Sequence, residues 1–183
     1  MKKGLILLMF GAAVLSLGIS SCNKIDSLDN YKDVNVGQTA TMPLNGEYWV
    51  KVDKGVIGAT DTTWTSDGYG WGWIRIQLYN TASNTKDSIW FSDPNGWWAV
   101  AKTTCVPSET LIKAGGPVDN MDPREAGESV TFLGGKVFLK GTITPGGSVA
   151  DSISISTMYS DAPANYIFRY GGYRRTGFQE DEH

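Results

Sequence analysis

The strongest constraint on this chain is a two-residue alternation that recurs along most of its length. In 46–53, Tyr48, Val50 and Val52 share one face, and Trp49, Lys51 and Asp53 share the other. In 71–79, Ile74, Ile76 and Leu78 oppose Trp73, Arg75, Gln77 and Tyr79. In 151–159, Ile153, Ile155, Thr157 and Tyr159 alternate with Ser152, Ser154, Ser156 and Met158. Side chains of a strand point to opposite faces in turn, so this pattern belongs to half-buried strands. No stretch keeps a helical apolar period for three turns.

Further strand-like runs are 87–93, 97–105, 129–133, 136–143 and 166–170. Asp93-Pro94-Asn95-Gly96 is a turn signal, so 87–93 and 97–105 pair as a hairpin. The segment 54–70 is a loop with Trp64 inside it. Leu111-Ile112-Lys113 leaves room for a short strand only, because Gly115-Gly116-Pro117 and Met121-Asp122-Pro123 break anything longer. The total is about eight strands with no helical crossover, the number at which a sheet closes around its own side chains or one small ligand. The expected fold is all-β: a single antiparallel up-and-down barrel, closed or nearly so. A two-sheet β-sandwich is the alternative that the pattern leaves open.

The first 21 residues do not share this pattern. Lys2 and Lys3 precede an apolar run, and small residues lead into Ile19-Ser20-Ser21-Cys22. Basic start, apolar middle and small-residue exit make a secretory signal. It resembles a bacterial lipoprotein signal cleaved before Cys22. The Cys22 thiol then carries a diacylglyceryl group and the new amine a fatty acyl chain such as palmitate. An uncleaved anchor, or ordinary cleavage leaving a plain thiol, are the other readings. The expected organisation is a signal at 1–21, a lipidated cysteine and polar tether at 22–42, and a β-barrel domain at 43–183. The partner is then the membrane, through Cys22. The location is the cell envelope, with the outer membrane expected and its periplasmic or surface face open.

Charge and residue inventory exclude several functions. The net charge of −3 becomes more negative without Lys2 and Lys3, which is unsuited to nucleic acid. With Cys22 lipidated, Cys105 has no disulfide partner and reads as a buried small hydrophobe. The single histidine is His183, on an acidic stretch, Gln179-Glu180-Asp181-Glu182, that reads as a solvated tail. There is no Gly-x-Ser-x-Gly elbow, no zinc-ligand cluster and no phosphate-binding glycine loop. The chain therefore reads as a non-enzyme without cofactor or metal.

Three stretches stand out: Glu47-Tyr48-Trp49-Val50-Lys51-Val52-Asp53, Asp87-Ser88-Ile89-Trp90, and Gly172-Tyr173-Arg174-Arg175-Thr176-Gly177-Phe178 with the acidic residues after it. They resemble one family of small Bacteroidetes lipoproteins, the lipid-binding putative hydrolases with a calycin-like barrel. The resemblance implies a barrel with a small apolar ligand, such as a lipid or fatty acyl chain. A looser likeness to lipocalins implies an arginine from the last strand over a ring of the first. Trp49 stands one place late for that ring and so on the opposite face. Tyr48 can take its role, with Arg174 or Arg175 as the cation, and these four residues are expected to close the barrel.

Seven Trp and eight Tyr accompany the strands. Trp71, Trp73, Trp90, Trp97 and Trp98 are the expected ligand liners, with core packing as the competing role for each. The alternative function is glycan capture or protein interaction through exposed rings, for which Trp64, Tyr69, Trp71, Trp97 and Trp98 sit in or beside loops.

Overall fold

The computed structural model describes residues 39–183. The expected signal segment, Cys22 and the expected tether up to residue 38 lie outside the described residues.

Ten strands follow one another: β1 Gly46–Ile57, β2 Thr62–Thr65, β3 Ile74–Asn80, β4 Ser88–Asp93, β5 Ala99–Val106, β6 Leu111–Ile112, β7 Pro117–Asp119, β8 Ser129–Ile143, β9 Val149–Tyr159 and β10 Tyr166–Arg174. All pairings are antiparallel, in the order β1-β3-β4-β5-β6-β8-β9-β10, and β10 pairs back onto β1. The fold is therefore a closed eight-stranded barrel, and the sandwich alternative is excluded. Two extra strands lie outside the ring, β2 on β1 and β7 on β8.

The short strand expected at 111–113 is β6, and it stops before Gly115-Gly116 as expected; a separate three-residue strand, β7, starts at Pro117 opposite Thr131. Two local expectations are corrected. Trp64 is not in an irregular loop but in β2, opposite Gly55. The runs 129–133 and 136–143 are one strand, β8, with irregular register between Phe132 and Gly134 and between Phe138 and Thr142. A Cβ on Gly135 would sit 2.8 Å from the Ser154 carbonyl, so Gly134-Gly135 lets the strand bend against β9 instead of stopping it.

The alternation places its apolar set inside. Tyr48, Val50, Ile76, Ile89, Phe91, Ala101, Val130, Ile155, Phe168 and Tyr170 have no exposed surface at all. A void large enough for water would leave accessible surface on the side chains lining it. These side chains therefore pack against one another. Phe91 meets Phe132 edge-on at 5.6 Å between centroids and Tyr170 at 5.5 Å. Such aromatic pairs contribute about 0.5–1.5 kcal/mol beyond area burial.

One end of the barrel is shut by polar contacts. Arg174 stands opposite Tyr48 in the β1–β10 pairing, with its guanidinium 5.4 Å from the Tyr48 ring centre. Its Nη2 donates to the Tyr48 hydroxyl at 3.0 Å and the Pro43 carbonyl at 2.9 Å, and its Nε lies 3.2 Å from Asp151 Oδ2. Tyr48 in turn donates to the Leu44 carbonyl, and burial pushes its pKa up to about 12 despite Arg174. Residues 39–45 form a turn over this end, with Thr41 and Leu44 buried. Arg175 faces the other way, bridging Glu47 at 2.8 Å and Glu182 at 2.7 Å. Its hydrogen bond holds the Glu47 carboxyl below the usual range, against the opposing effect of burial.

The acidic tail is also corrected. Asp181 is fully buried rather than solvated, accepting from the Gly146 N–H and the Thr176 hydroxyl, both at 2.7 Å. His183 stacks on Trp73 at 4.6 Å, stands edge-on to Trp49 and bonds the Tyr173 hydroxyl. The tail thus covers the aromatic cluster of Trp49, Trp73 and Tyr173 on the outer wall.

Closure makes a specific demand at Gly172. A Cβ there would lie 1.9 Å from the Trp49 carbonyl oxygen, whereas one on Gly171 would meet nothing within 4 Å. Gly172→Ala should therefore cost about 3 kcal/mol or more, because two backbones must part, and Gly171→Ala about 0.5 kcal/mol or less. Urea unfolding of the two variants checks this; equal stabilities would contradict the closure.

Candidate functional site

At the opposite end β4 and β9 finish and β3, β5 and β10 begin, so their connecting loops meet there. Asp93, the last residue of β4, organises this mouth. Its Oδ1 accepts from the N–H of Asn95 at 3.2 Å and of Gly96 at 2.7 Å, and its Oδ2 accepts from the Trp97 N–H at 2.9 Å. This is the side-chain-to-backbone bonding that makes aspartate a turn former. Tyr170 donates to the same Oδ2 at 2.9 Å, and the Tyr159 and Tyr170 hydroxyls are hydrogen-bonded at 2.5 Å. The turn is thus held to the core, and Trp97 is carried onto the barrel rim.

The Trp97 ring stacks on Tyr159 at 5.0 Å and packs on Phe168 at 4.5 Å. Its Nε1 donates to Asp161 at 2.8 Å. The 66–72 loop brings a second layer. Asp67, with a left-handed φ of 45°, accepts from the Gly72 N–H at 3.0 Å and folds the loop over the mouth. Tyr69 stacks on Trp71 at 4.9 Å, and Trp71 meets Trp97 at 5.8 Å. Trp98 turns outward with φ 47°, under the Arg124 guanidinium at 4.9 Å.

Together Tyr69, Trp71, Gly96, Trp97, Trp98, Glu125 and Asp161 line an open cleft of about 210 Å³. Ligand pockets commonly reach about 300–1,000 Å³, so this cleft suits one ring or a segment of chain. Cations sit over the neighbouring rings: Lys54 over Tyr69 and Tyr166, and Arg169 over Trp64.

Of the five tryptophans expected to line a ligand site, Trp71, Trp97 and Trp98 come together here. Trp73 belongs to the outer-wall cluster under the tail. Trp90 is also on the outer wall, stacked on Tyr79 and lining a separate groove of about 390 Å³ with Lys102, Val118 and Met121. Asp93, Asp161 and Phe168 complete the mouth and were not expected there. Asp93-Pro94-Asn95-Gly96 signals the turn but not the buried tyrosine pair beneath it.

Cys105 lies in the core of β5, where burial pushes its thiol pKa up. Among the described residues no three His, Cys, Asp or Glu side chains are grouped to hold a metal.

The buried Asp93 makes stability depend on pH. Burial raises its pKa above the ordinary carboxylate value, and the hydrogen bonds from Trp97, Gly96, Tyr170 and Asn95 oppose this without cancelling it. A raised carboxylate contributes stability that is fully present below its unfolded pKa of about 3.9 and is lost as pH rises through the folded value. The lowered carboxylates Glu47, Asp122 and Asp181 have the opposite sign. They add stability as pH rises towards about 4. In urea unfolding above that pH, wild type should lose stability relative to Asp93→Asn as pH increases. A pH-independent difference between the two would contradict a raised Asp93.

With this geometry in place, comparison with known proteins is informative at the level of family. A family model described as "Lipid-binding putative hydrolase" matches residues 33–179. No curated protein matches. A solved structure that matches is that of a structural-genomics protein of unknown function from Bacteroides ovatus, 12% identical with a TM-score of 0.44. The match covers 77% of this chain and 44% of that one.

Proposed function

Because the chain belongs to the family of lipid-binding putative hydrolases, we propose that it is a lipid-anchored envelope protein that binds an apolar chain at its aromatic mouth. The observation that carries this reading is a filled barrel interior below an open cleft of tryptophan and tyrosine rings. An acyl chain has no room among Tyr48, Ile76, Phe91 and Ile155. Against Trp71, Trp97 and Trp98 it finds apolar surface that is already half-dehydrated. The cleft holds only part of such a chain, so the remainder lies outside. Cys22 supplies the anchor to the cell envelope, with the outer membrane as the site.

The role is binding without a chemical step. Asp93 accepts four hydrogen bonds that build the mouth, and His183 is stacked and bonded within the tail cluster. Neither faces the cleft with a nucleophile beside it. A second reading, glycan capture, is favoured by one observation. Trp98 and Tyr69 stay partly exposed beside the Asp161 and Glu125 carboxylates, an arrangement suited to stacking on a sugar and accepting from its hydroxyls.

Titration with a nitroxide-labelled fatty acid, followed by tryptophan quenching, tests the first reading. Loss of one large aromatic contact is worth about 1.5–3 kcal/mol, so Trp71→Ala and Trp98→Ala should each weaken binding tenfold or more. Trp90→Phe, on the outer wall, should leave it unchanged. Non-saturable quenching, or equal loss in all three variants, would contradict the reading. Glycan-array binding that disappears in Trp98→Ala would establish the second instead.

A further inference from the structure

The barrel end covered by residues 39–45 carries a second unusual surface. The β8–β9 hairpin runs past the barrel there. Pairing of β9 with β10 reaches only Ser152 opposite Tyr173, while β8 and β9 continue to Ile143 opposite Val149. Those two apolar side chains are 70% and 64% exposed, and Leu139 on the same strand is 60% exposed. Phe178, at the start of the tail, and Met42, in the turn over the barrel end, are 55% and 47% exposed. Scattered exposed hydrophobics are ordinary, but a set gathered at one end of a soluble domain marks an interaction surface.

The tip is also rigid. The Thr144 N–H donates to the Ser148 carbonyl at 2.8 Å, the Gly147 N–H to the Thr144 carbonyl at 2.9 Å, and the Ser148 N–H to Thr144 Oγ1 at 3.0 Å. Gly147 takes the left-handed φ of 88° that closes the turn. Buried Asp181 grips the Gly146 N–H from the tail. Ile143-Thr144-Pro145-Gly146-Gly147-Ser148-Val149 contains no charged residue, and Lys136 and Lys140 stand behind it on β8. An uncharged apolar tip, with Lys136 and Lys140 behind it and Glu180 of the tail beside Gly146, matches the boundary between water and acyl chains.

We propose that this end lies on the membrane, the β8–β9 tip inserting shallowly, so that the aromatic mouth faces away from the bilayer. The proposal rests on the reading of Cys22 as the lipid anchor. The chain enters the barrel at this end, where the Ala40 N–H donates to Asn84 Oδ1 beside the β3–β4 turn. Sixteen residues separate Cys22 from Thr39, so an anchor at Cys22 joins the domain at the end that carries the tip and not at the mouth.

The test uses the lipidated full-length protein in phosphatidylethanolamine–phosphatidylglycerol vesicles. A polarity-sensitive fluorophore is placed by Ile143→Cys or Val149→Cys at the tip and by Trp64→Cys near the mouth; Cys105 is buried and escapes labelling. The tip labels should shift to the blue and be quenched severalfold more by bilayer nitroxides than the mouth label. The double variant Ile143→Ser/Val149→Ser should unfold at the same urea concentration as wild type yet lose protection of a label at Leu139→Cys. A tip label as wet as the mouth label, in protein whose Cys22 is acylated by mass, overturns the orientation alone. An unmodified Cys22 overturns the anchor reading and the orientation with it. Tip protection that appears in detergent and depends on protein concentration also overturns the proposal, since it would put a second copy on the tip.

Discussion

The pairing of β10 back onto β1 is the contact on which the rest of the structure depends. It runs from Tyr48 opposite Arg174 to Val56 opposite Tyr166, joining the first and last strands of the barrel. Without it the sheet has two long edges, and unpaired edges invite association with other chains. The strands approach so closely at Gly172 that no side chain fits against the Trp49 carbonyl. Arg174 then secures the junction at three places: the Tyr48 ring and hydroxyl, the Pro43 carbonyl, and Asp151 at the start of β9. One side chain thereby ties the entering chain, the first strand and the ninth strand to the last.

Closure also decides where a ligand can go. With eight strands the interior is narrow, and here Tyr48, Phe91, Phe132, Phe168 and Tyr170 fill it. Larger barrels leave room for a ligand inside; this one offers its rims and outer wall. The two rims differ in construction. The Arg174 end is covered by the 39–45 turn and prolonged by an apolar hairpin tip, whereas the Asp93 end opens into a cleft of rings. The proposed binding and docking roles therefore fall on different surfaces of one small barrel.

Much of the fold was legible because alternation reports directly on which face is buried. Ile74, Ile76 and Leu78, or Ile153, Ile155 and Tyr159, needed no further information. The failures came where tertiary contacts override local signals. Gly134-Gly135 looks like a break, yet the small residues let β8 pass Ser154 and Ile155 and continue. The acidic tail looks solvated, yet Asp181 finds donors on Gly146 and Thr176 that lie far away in sequence or across a turn. The tryptophans were hardest. Trp73 and Trp97 both flank strands, and only the placement of the tail and of Phe168 decides that one joins the outer wall and the other the mouth. No pattern in the chain announces that Tyr159 and Tyr170 stand beneath Asp93.

The central claim is that the barrel is filled and that an apolar ligand meets it at the Asp93 end. Methyl and indole NMR of the protein saturated with a fatty acid tests this most directly. The account predicts ligand contacts and shift changes at the Trp71, Trp97 and Trp98 indoles, with the Val50, Ile76, Ile89 and Ile155 methyls unmoved. Nuclear Overhauser contacts from the acyl chain to those interior methyls would contradict it.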